Sequence, residues 1–155
     1  MIDPRYVNTL RKIYSRLVDN KVNWAVTGSF GMALQGMDVV VHDIDIQTDE
    51  DGAYEIENRF SEYVIKPVHY SASERIRSHF GALEMDGIKI EIMGDLQKRL
   101  DDQTWEEPVK VEEHKCWAEI YGMHIPVLSL EYEYQAYLKL GRIEKAEMLR
   151  EWLMK

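Results

Sequence analysis

Cysteine is almost missing: Cys116 is the only one in 155 residues. A lone thiol closes no disulfide within the chain, and a cysteine-based zinc site would need thiols from a second chain. Long apolar runs are absent too. None nears the roughly 18 residues of a membrane span, and Met1-Ile2-Asp3-Pro4 lacks the basic-then-apolar plan of a secretory leader. No membrane partner is expected, and a cytoplasmic location is. Cations are in short supply, 19 Lys and Arg against 28 Asp and Glu, for a net charge of −9. A broad nucleic-acid footprint needs clustered Lys and Arg, so nucleic acid is an unattractive partner. Repeats, low-complexity tracts and linkers are also lacking. What remains is 45% hydrophobic and 30% charged, the balance of a folded globular chain. Its length suits one domain over residues 1–155.

Helical spacing of Tyr6, Leu10, Ile13, Tyr14, Leu17 and Val18 predicts an amphipathic helix over 4–19, with Asp3 as N-cap and Pro4 at its first position. A second helix is expected over 49–63, with acids in its first turn that suit the macrodipole. Strand patterns cover 24–26, 39–47, 64–70 (an edge strand, from Pro67) and 75–93, the last a hairpin about Asp86-Gly87. Residues 94–108 read as a polar connection or lid. Short strand candidates follow at 109–113, 116–121 and 124–128, then a helix capped by Ser129, a stop at Gly141 and a last helix. The class is α/β or α+β, a mixed sheet of about five strands flanked by helices.

The chain is organised around Trp24 to Gln47, WAVTGSFGMALQGMDVVVHDIDIQ. On a strand, Asp43 and Asp45 share one face while Ile44 and Ile46 take the other, which sets the two carboxylates about 7 Å apart at the backbone. Like charges so placed raise each other's pKa, a cost that a hard divalent cation removes. His42 falls on the opposite face, as a packing residue. Gly28 lets the strand-to-helix turn tighten, and the amides of the first helical turn with the Ser29 hydroxyl make an anion site. Ser29 as a plain N-cap is the simpler alternative, and the acid pair downstream favours phosphate. Arg75, Arg77 and His79 alternate along one strand, either as solvated charges or as contacts to a phosphate tail.

A Gly-Ser turn opening a short helix, followed by Asp-Ile-Asp between apolar neighbours, resembles the signature of the DNA polymerase β-like nucleotidyltransferase superfamily. The likeness is to its small members, related to aminoglycoside and lincosamide nucleotidyltransferases and to antitoxin nucleotidyltransferases. The resemblance implies a third acid on a later strand, where Glu91 stands within Ile88-Lys89-Ile90-Glu91-Ile92. It implies the nucleotidyltransferase fold with C-terminal helices beside the site, and Mg²⁺ in a two-metal arrangement held by Asp43, Asp45 and Glu91. A nucleoside triphosphate would be held by Gly28 and Ser29, with cations from the Leu-Lys-Leu-Gly-Arg tail, Lys139 first and Arg142 next. Related sequences continue Arg-Pro-Lys-Asp where this one has Arg142-Ile143-Glu144-Lys145, which leaves Lys145 without an assigned role. The implied reaction moves a nucleoside monophosphate to an acceptor hydroxyl with release of pyrophosphate. The acceptor is a small molecule or a protein group, and a homodimer is allowed. The alternatives are a non-catalytic, nucleotide-sensing or antitoxin-like binding module and a metal-dependent phosphohydrolase.

Overall fold

A computed structural model describes residues 2–155. Helix α1 (Pro4–Leu17) begins as expected, with the Asp3 carboxylate accepting from the Arg5 amide and Pro4 just inside the start. It is followed by β1 (Trp24–Thr27), α2 (Gly28–Leu34), β2 (Ile44–Thr48) and α3 (Glu50–Arg59). Strands β3 (Val64–Ala72), β4 (Ile76–Met85) and β5 (Ile88–Lys98) form a meander, and β6 (Lys115–Ile120) with β7 (Met123–Leu128) forms a hairpin. Helices α4 (Leu130–Lys139) and α5 (Ile143–Leu153) close the chain.

All seven strands lie in one mixed sheet, in the order β3-β4-β5-β2-β1-β7-β6, where about five were expected. The extra strands are the β6–β7 hairpin, recruited by parallel pairing of Val26 with Val127. Local patterning cannot reveal such a long-range bond. Strand β3, with Pro67, is an edge as expected. The Asp86-Gly87 turn has φ of 52° and 80°, the left-handed pair that a two-residue hairpin needs.

The acid-bearing strand is shorter than the pattern suggested. Residues 39–43 are not strand, because β1 has already turned into α2 where they would need a partner on that side. Nor is 109–113 a strand. It ends in a 3-10 turn, Val111–Glu113, whose buried Val111 packs with Ala25 and Leu128. The presumed loop after Met93 instead continues β5 to Lys98, and Trp105 returns to bridge Arg99.

The two faces of the sheet have different jobs. One buries Ile44, Ile46, Ile90, Ile92 and Val127 against Leu10, Ile13 and Leu17 of α1 and Ile56 and Phe60 beside α3. At about 25 cal/mol per Å² of apolar surface, each such side chain contributes roughly 1.5–3 kcal/mol. The other face carries the polar residues of β2 and is crossed by α4, whose cap is the Ser129 hydroxyl accepting from the Tyr132 amide. Strand β5 serves both faces. Its pairing with β4 slips by one residue between Arg77–Gln97 and His79–Gly94, a bulge, and Asp95 there has φ 51°.

Candidate active site

Helix α2 starts directly from β1, and Gly28 makes the corner with φ 69°. A Cβ at Gly28 would sit 2.6 Å from Asp45 Oδ2, so only glycine lets the turn press against that carboxylate. Asp45 is hemmed in on both sides: it registers with Thr27 of β1 and with Glu91 of β5. The parallel register sets Asp45 and Glu91 side by side on the face opposite Ile44 and Ile46. Asp43 stands just before the strand, with fully buried Ile44 between the two aspartates.

These placements perturb Asp45. Burial, reinforced by Glu91 and Asp43, pushes its carboxyl up to about 6, while Lys145 and Lys89 pull the other way. Lys89 lies two residues from Glu91 and its ammonium is 4.0 Å from the Glu91 carboxylate. The half-buried acids thus carry more negative charge than nearby cations offset. Carboxylate oxygens are what a hard divalent ion suits, although the ligand atoms of these three acids do not all lie within 4.8 Å of one another as they stand, and Glu91 lies outside the residues that line the cleft.

Beneath the turn lies Glu133, an acid in the first turn of α4 that the sequence does not single out. It is 4% exposed. Its Oε1 accepts from the Thr27 hydroxyl and, at 3.2 Å, from the Gly28 amide. Burial drives this carboxyl up to about 7, against the lowering effect of those two bonds. The Gly28 amide is therefore not free for an anion, contrary to the simple picture of an open helix start. The Ser29 side remains half-buried at the cleft. An apolar stripe with a polar residue in phase was the available clue: Glu133 falls one turn from Ala136 and Leu130, on the inward side of α4.

The cleft has a volume of about 600 Å³ and is lined by Gly28, Ser29, Asp43, Asp45, Tyr137, Arg142 and Lys145, among others. Arg142 and Lys145 flank the Tyr137 ring, 5.5 and 5.4 Å from its centroid. Burial and the neighbouring Arg142 lower the Lys145 ammonium. His42 also lines the cleft and is exposed, because the alternation that would have turned it inward does not extend to 39–43.

Lys139 is placed elsewhere. It lies across α4 in a separate cleft and pairs with Glu106 at 2.7 Å. Arg75, Arg77 and His79 also stay outside. Arg75 donates to the Lys139 carbonyl, Arg77 stacks 4.3 Å from the Trp105 centroid, and His79 packs between Tyr54 and Tyr70.

A mixed sheet with a glycine-cornered helix after its first strand, and acids on the two strands beside it, is the architecture of the DNA polymerase β-like nucleotidyltransferases. Within that class, the model of the aminoglycoside-2''-adenylyltransferase family matches residues 9–150, and the chain belongs to this family. No curated protein sequence matches it. Among solved structures, it is 67% identical to a Thermotoga maritima protein described as a candidate nucleotidyltransferase, over 99% of this chain and 95% of that one, with a TM-score of 0.88. The fold is shared with ANT(2'')-Ia in complex with adenylyl-2''-tobramycin, at 14% identity over 96% of this chain and 90% of that one, TM-score 0.61. It is shared also with the lincomycin-bound lincosamide adenylyltransferase LnuA, at 17% identity over 79% and 80% of the two chains, TM-score 0.55. Among the described residues, no helix is long and apolar enough to cross a membrane.

Proposed function

We propose that the chain transfers a nucleoside monophosphate from a triphosphate, ATP by analogy with its family, to a hydroxyl of a small-molecule acceptor. The observation that carries the reading is the register of Asp45 with Glu91 beside the Gly28 corner, with Asp45 raised to about 6 by burial and, after it, by the Glu91 and Asp43 carboxylates. Asp43, Asp45 and Glu91 would hold Mg²⁺. Bound there, the ion would neutralise charge on the phosphates and on the acceptor oxygen as it attacks.

The remaining work falls to the chain's own side chains. Arg142 and Lys145, across the cleft from the aspartates, supply the positive charge that a triphosphate tail needs and that a protein of net charge −9 must concentrate locally. Ser29 offers a hydroxyl at the mouth of the turn. Tyr137, half-buried, carries both cations over its ring and so holds them at the cleft. Glu91 would receive the acceptor's proton, a role its register beside Asp45 and its half-buried position support. Antibiotic ligands in the two distant structures favour a small polyhydroxylated acceptor over a macromolecule.

The test is incubation with labelled ATP, Mg²⁺ and panels of hydroxylated small molecules, following label on the acceptor and pyrophosphate in solution. Free phosphate without labelled acceptor would indicate a hydrolase instead. No product of either kind, with ATP still bound, would indicate a binding module.

A further inference from the structure

On the opposite face of the sheet, far from any role in the reading above, three more metal-binding side chains converge. Glu50 begins α3, His79 lies on β4 and Asp95 on β5, and one ligand atom from each lies within 4.8 Å of the others. The bulge makes this meeting happen. His79 registers with Gly94, whose backbone packs against the start of α3, and the extra residue at the slip turns Asp95 to that same side.

The imidazole is held for the purpose. Tyr54 and Tyr70 stand edge-on to it, centroids 5.8 and 5.1 Å away, and the Tyr54 hydroxyl lies 3.4 Å from Nδ1. The other nitrogen, Nε2, then faces the Glu50 carboxylate at 3.7 Å. A partner on one imidazole nitrogen that aims the other is the usual support of a metal-ligating histidine. Charge points the same way. Asp49 adds a further acid beside Asp95, and among the described residues no Lys or Arg nitrogen comes within 4.0 Å of Glu50 or Asp95. Capping of α3 accounts for an acid at its start, yet it asks nothing of His79.

We infer that Glu50, His79 and Asp95 form a second cation site, separate from the cleft acids, that takes a borderline transition ion such as Zn²⁺, with Mn²⁺ as a weaker paramagnetic stand-in. One imidazole with two carboxylates selects Zn²⁺ over Mg²⁺ and Ca²⁺, which prefer oxygen alone. Three protein ligands leave positions for water, and the bound ion ties the start of α3 to the β4–β5 ribbon.

The experiment uses the full chain, freed of metal by chelation, with Asp43→Asn and Asp45→Asn to silence the cleft. Titration with ZnCl₂ by calorimetry should give one site, and adding His79→Gln or Asp95→Asn should weaken it at least tenfold. Binding unchanged by both substitutions, or no binding once the cleft is silenced, would overturn the site. Should His79→Gln fail to fold, Mn²⁺ added to the cleft-silenced chain decides. Of the five histidine ring signals, that of His79 should broaden first, and broadening that spares it refutes the assignment. Because Asp45 is absent from this protein, failure here leaves the nucleotidyl-transfer reading standing.

Discussion

Replacing Glu133 by Gln keeps the shape of the side chain and an oxygen to accept from Thr27 and Gly28, while removing a charge that the interior resists. The carboxyl titrates at about 7 in the folded chain against 4.5 in its absence, chiefly through burial. At 1.36 kcal/mol per pKa unit, the difference corresponds to about 3 kcal/mol. The sign follows from proton count. Between those two values the folded chain keeps a proton that the unfolded chain has lost, so the contribution is complete below 4.5 and is lost as pH rises through about 7. Wild type should therefore lose stability relative to Glu133→Gln across that window. For a chain of this size 1 kcal/mol shifts the melting temperature by about 2–4 °C, so the gap should widen by roughly 6–12 °C between about pH 4 and pH 8. The assay is thermal unfolding by circular dichroism of both proteins without divalent metal. Asp45 is raised in both proteins and gives each a slope of the same sign, while its charge also helps push Glu133 up. Parallel melting curves over the whole range would refute the claim that burial beneath the turn raises the Glu133 carboxyl.

Four further outcomes are expected. Gly28→Ala combines a left-handed backbone with a Cβ 2.6 Å from Asp45 Oδ2, so it should cost about 1–3 kcal/mol in chemical denaturation and abolish pyrophosphate release. Asp45→Asn should end Mg²⁺-dependent transfer while leaving the circular dichroism spectrum intact, and retained turnover would remove Asp45 from the site. Lys145→Ala should weaken triphosphate binding in calorimetry, whereas Lys139→Ala, paired with Glu106 in another cleft, should not; the reverse pattern would return Lys139 to the nucleotide. Ser129→Ala should destabilise by about 1 kcal/mol through loss of the α4 cap, read as a lower urea midpoint with unchanged ATP affinity.

Much of this fold is legible in local chemistry. Asp3-Pro4, Asp86-Gly87 and Ser129 each announce an element boundary through a conformational need that few residues meet, and each boundary falls where expected. Ile44 and Ile46 fix which way Asp45 faces. The sequence is silent where distant segments decide. Whether 39–43 is strand depends on where β1 ends, and the sheet's width depends on Val26 meeting Val127. A linear reading puts Lys139 first and leaves Lys145 without a role. Only the path of α4, which separates two clefts, assigns one to Glu106 and the other to Tyr137. Glu133 is concealed for a similar reason, since an acid in a first helical turn ordinarily faces water.

The slip in the ladder at Asp95 makes one ribbon answer to two masters. Ahead of it, odd-numbered positions such as Glu91 look toward α4; beyond it, Lys98 does so, donating to the Tyr132 hydroxyl at 3.1 Å. Excising a single residue at 94–96 would thus do more than shorten a strand. It would swing Lys98 off Tyr132 and remove Asp95 from the side of His79 in one stroke, whether by turning it or by deleting it, so a length change tolerable in any ordinary connection should here unsettle both sides of the sheet together.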